Sequence, residues 1–185
     1  MSWNTDLFLT VNRYVGRWHV IDRIAVFGAK WAIYLLILGV GIYVYGEVDG
    51  DAVQLLSVGG AMMSVLVFAL GTSYLLARLY PHERPETELP QSKQLIDLLP
   101  IEMWKSFPSD HTLIAFLLAY VMILSQGKLT AFGTLSFLWA TYIALSRIVV
   151  GVHYPRDILG GFLLASLWGY ICSRIFGFTL WMLPV

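Results

Sequence analysis

Residues 52–77 read AVQLLSVGGAMMSVLVFALGTSYLLA, without one Asp, Glu, Lys or Arg. A helix needs about 20 mostly apolar residues to cross a hydrocarbon core roughly 30 Å thick, and this stretch exceeds that. In lipid every backbone N–H and C=O must be satisfied within the chain, so the run is predicted to be a bilayer-spanning helix. Four further runs share its character: Ile24–Tyr45 with a lone Lys30, Ser109–Ser125, Leu129–Val149 and Pro155–Phe176. The expectation is therefore an all-α polytopic membrane bundle of about five transmembrane helices.

Composition agrees with that expectation. Of 185 residues 58% are hydrophobic and 13% charged, with a mean hydropathy of +0.70; soluble domains carry about 25% charged residues. This excludes an ordinary cytosolic domain and a disordered chain. Twelve Lys/Arg balance twelve Asp/Glu, so no basic surface for nucleic acid is expected. The one cysteine, Cys172, excludes a disulfide framework and a thiolate zinc cluster. The length fits one domain over 1–185.

The links differ in kind. Gly46–Asp51 and Gln126–Lys128 read as tight turns, whereas Arg78–Phe107 is a long polar segment holding four of the seven prolines. Within it Gln91–Trp104 has the mixed pattern of a short surface helix. The opening segment, residues 1–23, mixes Trp, Phe and Leu with Arg13, Arg17 and His19; its Trp3–Val20 stretch reads as an interfacial amphipathic helix, too polar for a span or a signal peptide. With five spans, the N-terminus, the long link 78–107 and the link Val150–Tyr154 share one membrane face.

Three polar clusters map to that face: Arg78 with His82, Glu83, Arg84 and Pro85; Pro108-Ser109-Asp110-His111; and Ser146-Arg147 with His153 and Asp157. Each has a local reading. Arg147 at the end of an apolar helix is costly unless it snorkels or is paired. Ser109 and Asp110 are good N-cap types, and the free N–H groups of that helix start also favour a phosphate oxygen. Pro155 suits a first helical position, which makes Asp157 either a first-turn carboxylate favourable to the helix dipole or a partner that fixes the tautomer of His153.

The joint pattern of Arg-Pro, Pro-Ser-x-His and Ser-Arg-x5-His-x3-Asp, in that order between hydrophobic helices, resembles the type 2 phosphatidic acid phosphatase (PAP2) superfamily of membrane lipid phosphatases, which share a helical core with vanadium haloperoxidases. The resemblance covers roughly Ala52–Phe176, and the Phe107–Thr112 stretch looks most like the undecaprenyl-diphosphate phosphatase branch. Two positions depart from it. The lysine of the usual Lys-x6-Arg-Pro motif is Ala77 here, with Arg78 one residue on as a candidate replacement cation. Asp110 stands where glycine is more frequent, and an acidic side chain there is expected to contact protein or solvent rather than phosphate.

The resemblance implies His153 as nucleophile, Asp157 as its partner and His111 as general acid and base. Arg84, Arg147, Arg78 and Ser109 would hold the substrate phosphate, with Asp110 in the same substrate-binding motif turned toward protein or solvent, and with no metal and no cofactor. It implies a lipid phosphate substrate in the membrane, with undecaprenyl diphosphate the first expectation and no obligatory protein partner. Phosphatidylglycerophosphate or phosphatidic acid hydrolysis, lipid phosphotransfer and a non-catalytic membrane scaffold are the alternatives. On orientation two arguments conflict. The motif face carries Arg13, Arg17, Arg23, Arg78, Arg84, Lys93, Lys105, Arg147 and Arg156 against Lys128 and Arg174 opposite, which by the positive-inside rule favours the cytoplasm. The family resemblance implies the outer face of the plasma membrane.

Overall fold

Helix starts follow side chains that satisfy the first free N–H groups of a helix. The computed structural model describes residues 2–98, 103–124 and 130–175. Ser2 accepts from Thr5 N–H at the head of α1 (Trp3–Asn12). Asp51 accepts from Val53 and Gln54 N–H at the head of α4 (Ala52–Leu79). Thr130 accepts from Gly133 N–H at the head of α7 (Ala131–Val149). The other described helices are α2 (His19–Lys30), α3 (Ala32–Glu47), the single turn α5 (Pro85–Glu88), α6 (Asp110–Leu124) and α8 (Pro155–Ile175). No strand occurs among the described residues.

Helix α6 is the hub. It packs chiefly against α7 and α8 and also touches α3 and α4, while α2 lies along α7 and α1 bridges α7 and α8. Its buried Leu113, Phe116, Leu117 and Met122 meet Ile143 of α7, Leu164 of α8 and Leu36 and Val40 of α3 in one apolar core. Phe116 stands edge-on to Phe137 and Phe162, with ring centres 5.1 and 4.9 Å apart, an arrangement aromatic quadrupoles favour. Outward, α3 and α4 expose Leu38, Ile42, Leu56, Met63, Phe68 and Leu75, a surface suited to hydrocarbon.

Among the described residues the count of spans is lower than the composition implied. Two helices, α4 and α7, are long and apolar enough to cross a membrane, and α2 with α3 makes a third if the bent pair is one span. The run expected as one helix over Ile24–Tyr45 is bent by 50° at Trp31, which separates α2 from α3. Side chains of α7 engage the carbonyls at this break: Trp139 Nε1 donates to Ala32 O at 2.8 Å and Arg147 Nη1 to Ala29 O at 3.2 Å. Over its described residues helix α6 is apolar but shorter than a full span. Helix α8 gives up apolar positions to pack on α6, where Gly161 approaches Ser109, Gly169 approaches Tyr120, and Ser166 bonds Tyr120.

Two loop expectations are also corrected. The N-terminal helix stops at Asn12 rather than reaching Val20, because Asn12 turns inward and exchanges hydrogen bonds with Lys93 N–H (2.9 Å) and Lys93 O (2.7 Å). Residues 91–98 are not helical; besides that exchange, Leu95 N–H goes to Val150 O at 3.0 Å, so these backbone groups serve distant partners instead of a helix ladder. The remainder of the Gln91–Trp104 expectation falls partly on 99–102, and the turn Gln126–Lys128 falls wholly outside the described residues. The Gly46–Asp51 turn is present, with Asp49 and Gly50 at φ of 48° and 74°.

One contact sets how closely α8 lies against the start of α6. A Cβ added at Gly161 would stand 2.6 Å from Ser109 O, a backbone atom that cannot swing away. Gly161→Ala is expected to destabilise the fold by about 1–3 kcal/mol, the usual cost of overpacking, seen as a lowered thermal unfolding midpoint in detergent. An unchanged midpoint would show that the helices have room to part.

Candidate functional site

The three clusters meet at one rim of the bundle. Helix α7 ends at Val149, and the link to α8 turns through Gly151 at φ +86°, where a Cβ would stand 2.2 Å from Lys93 O. The link is packed on Ala25, Ala29 and Ile96 through Val150 and Val152. This delivers His153 into the interior, buried, with Arg84, Arg147, Ser109 and Asp157 buried around it.

Helix α8 then starts at Pro155, and Asp157 Oδ2 reaches back to accept Tyr154 N–H at 2.9 Å. A third-position carboxylate bonding the N-cap N–H is half of a capping box. The same oxygen accepts Ser106 Oγ–H at 2.6 Å and lies 3.4 Å from His153 Nδ1. Asp157 thus caps the helix while the same carboxylate oxygen faces the imidazole of His153. Its backbone carbonyl accepts Ser109 N–H at 3.0 Å, which ties the second and third motifs directly.

On the other side of the ring, Arg84 Nη1 lies 3.4 Å from His153 Nε2 and donates to Val152 O at 2.7 Å. A guanidinium only donates, so Nε2 must hold its lone pair toward Arg84, and the ring proton belongs on Nδ1 facing Asp157. Burial is the main influence that pushes the His153 pKa down to about 3; the Asp157 hydrogen bond opposes it, while the Arg84 and Arg147 charges reinforce it. His111, on the first turn of α6, is in the electrostatic field of Arg147, His153 and Arg84. An imidazole whose lone pair faces a guanidinium, with a second guanidinium and a second imidazole in the same electrostatic field, can accept a phosphoryl group and manage one proton.

Two sequence expectations separate from this group. Arg78 is exposed at the end of α4, on a different face from the buried Ser73 and Ala77, because successive helical positions point about 100° apart. Asp110 pairs with protein: its Oδ1 is 2.6 Å from Lys105 Nζ and accepts Ser73 Oγ–H at 2.8 Å. Burial lowers the Lys105 pKa, Asp110 opposes that and Arg84 adds to it. Lys105 and Ser106 are site neighbours that the motifs do not contain. Their adjacency to Phe107-Pro108-Ser109 was the available signal.

The remainder of the rim is cross-braced. Phe8 packs edge-on against Tyr154 at 5.2 Å, Tyr154 O–H donates to Glu88 at 2.8 Å, and Asn4 accepts Arg156 N–H at 2.9 Å. Among the described residues no group of His, Cys, Asp or Glu is gathered to hold a metal ion.

Comparison with known proteins matches the PAP2 superfamily over residues 54–181. The undecaprenyl-diphosphatase BcrC of Bacillus subtilis is 30% identical over 92% of this chain and 83% of its own length. The bacitracin transport permease protein BcrC of Bacillus licheniformis is 29% identical over 89% of this chain and 76% of its own. The crystal structure of LpxE from Aquifex aeolicus superposes with a TM-score of 0.69 at 25% identity, over 94% of this chain and 96% of that one.

The depressed His153 pKa has a direct consequence. Between about pH 6.5 and 3 the unfolded chain binds a proton at this residue that the folded one excludes, so acidification through that window lowers stability. At pH 5, ¹⁵N spectra of histidine-labelled protein should show His153 as the neutral Nδ1–H tautomer. Arg84→Ala, which removes both the repulsion and the N–H donor, should raise its pKa. A doubly protonated ring at pH 5 in the wild type contradicts the assignment.

Proposed function

The chain belongs to the PAP2 superfamily and is a lipid phosphatase, and we propose that it removes the terminal phosphate of undecaprenyl diphosphate through a phosphohistidine at His153. The observation that carries this reading is the line from Arg84 Nη1 to His153 Nε2 and from His153 Nδ1 to Asp157, 3.4 Å at each contact. It supports a nucleophile whose lone pair lies where a bound phosphoryl group would meet a guanidinium.

In the first step the Nε2 lone pair attacks the terminal phosphorus and the bond to the bridging oxygen breaks. Undecaprenyl phosphate leaves with the electron pair, and His111 protonates it where a proton is needed. Arg84 and Arg147 hold the equatorial oxygens, where charge must be neutralised in phosphoryl transfer. Ser109, at the head of α6, adds hydrogen bonding there. Asp157 stabilises the ring as it becomes cationic. In the second step water attacks phosphorus, the P–N bond breaks, His111 takes the water proton, and inorganic phosphate leaves.

The test is turnover of undecaprenyl diphosphate, phosphatidylglycerophosphate and phosphatidic acid in parallel by purified protein in EDTA. The diphosphate should be preferred, vanadate should inhibit, and His153→Ala should lose at least about 10³-fold in kcat, in keeping with loss of a nucleophile. Full turnover by His153→Ala removes the phosphohistidine. Preference for a glycerophospholipid replaces the substrate, a reading that the cation excess on the motif face favours because it points to the cytoplasm.

We place the site on the outer face of the plasma membrane, supported by the resemblance to the undecaprenyl-diphosphate phosphatase branch. In a Cys172→Ser background, an impermeant thiol reagent should label Thr87→Cys in intact cells and Gly50→Cys only after lysis. The reverse pattern overturns the orientation.

A further inference from the structure

Lys105 belongs to none of the three motifs, yet its side chain is 5% exposed. Burying an ammonium is costly unless it is paired, and a buried ion pair by itself adds little stability over apolar packing. Its Nζ donates to Ser73 Oγ at 2.5 Å and to Asp110 Oδ1 at 2.6 Å, and sits 4.7 Å from the Tyr74 ring centre. Ser73 lies one helical turn before Ala77 on the buried face of α4. Of the two positions at which the motifs depart from their usual residues, Asp110 contacts this ammonium directly and Ala77 lies one helical turn from its other partner, Ser73.

We propose that Lys105 is a substrate-binding residue, a cation beside Arg84 that holds a non-bridging oxygen of the lipid phosphate and is itself positioned by Asp110 and Ser73. The inference rests on the phosphatase reading of the site. An ammonium has three protons; Ser73 and Asp110 take two, which leaves one for an anion. Arg84 is close enough for its charge to disfavour the protonated lysine, and like charges held together in a buried rim are relieved when an anion joins them. Asp110 then has a function that glycine lacks: it fixes a lysine that arrives from the loop instead of from α4.

Lys105→Met keeps the volume and removes the charge. In detergent it should raise both the KM for lipid phosphate and the inhibition constant of orthovanadate by about ten- to hundredfold, the range for one charge-assisted hydrogen bond. Adding Ala77→Lys, which returns a cation to the same face of α4, should recover about tenfold of that loss. Values within twofold of the wild type in Lys105→Met overturn the proposal. So does a loss that accompanies a lowered unfolding midpoint and is not recovered by Ala77→Lys. A wild-type protein that neither turns over any lipid phosphate nor responds to orthovanadate instead removes the phosphatase reading beneath it.

Discussion

One carboxylate oxygen organises the rim. Asp157 Oδ2 caps α8 at Tyr154, accepts the Ser106 hydroxyl and faces His153 Nδ1, at 2.9, 2.6 and 3.4 Å. These three partners come from the start of α8, the long link before α6 and the short link after α7. A charged acceptor taken out of water must be compensated by donors, and here the compensation is also the geometry. Satisfying Asp157 brings the link 78–107 against the head of α8 and fixes which ring nitrogen of His153 keeps its lone pair.

The cations answer to a similar constraint. Arg84 and Arg147 are buried, and each donates to a main-chain carbonyl: Arg84 to Val152 and Arg147 to Ala29. Such bonds fix where each guanidinium sits, Arg84 on the link after α7 and Arg147 on the end of α2. Ala29 belongs to the last turn of α2, where the bend at Trp31 interrupts the helix ladder. The break in the first apolar run, which lowers the number of full spans, therefore helps to hold an arginine at the site. Lys105 is fixed by a carboxylate, with Asp110 Oδ1 2.6 Å from its Nζ.

Much of this was legible in the residues. The apolar runs located α4, α6, α7 and α8 to within a few positions, because burial in lipid and in a bundle core both demand continuous apolar sequence. Pro155 marked the start of α8, and the spacing of His153 and Asp157 placed them near one another. The bend at Trp31 was not legible: apolar residues continue through it, and the side chains that engage its carbonyls lie far away in the chain. Residues 91–98 of the helix expected within Gln91–Trp104 are not helical for a related reason, as the backbone groups of Lys93 and Leu95 found Asn12 and Val150.

Sequence by itself determined that this is a membrane-embedded helical protein bearing the three PAP2 motifs in order, because apolar content and motif spacing are local properties of the chain. Tertiary structure decided that Lys105 rather than Arg78 enters the rim, that Ser106 joins Asp157, and that α2 holds Arg147. These depend on contacts between residues as far apart as 118 positions. Such a contact is set by the path of the whole chain, since a side chain's partner is whatever group the packing of other helices brings within about 3 Å.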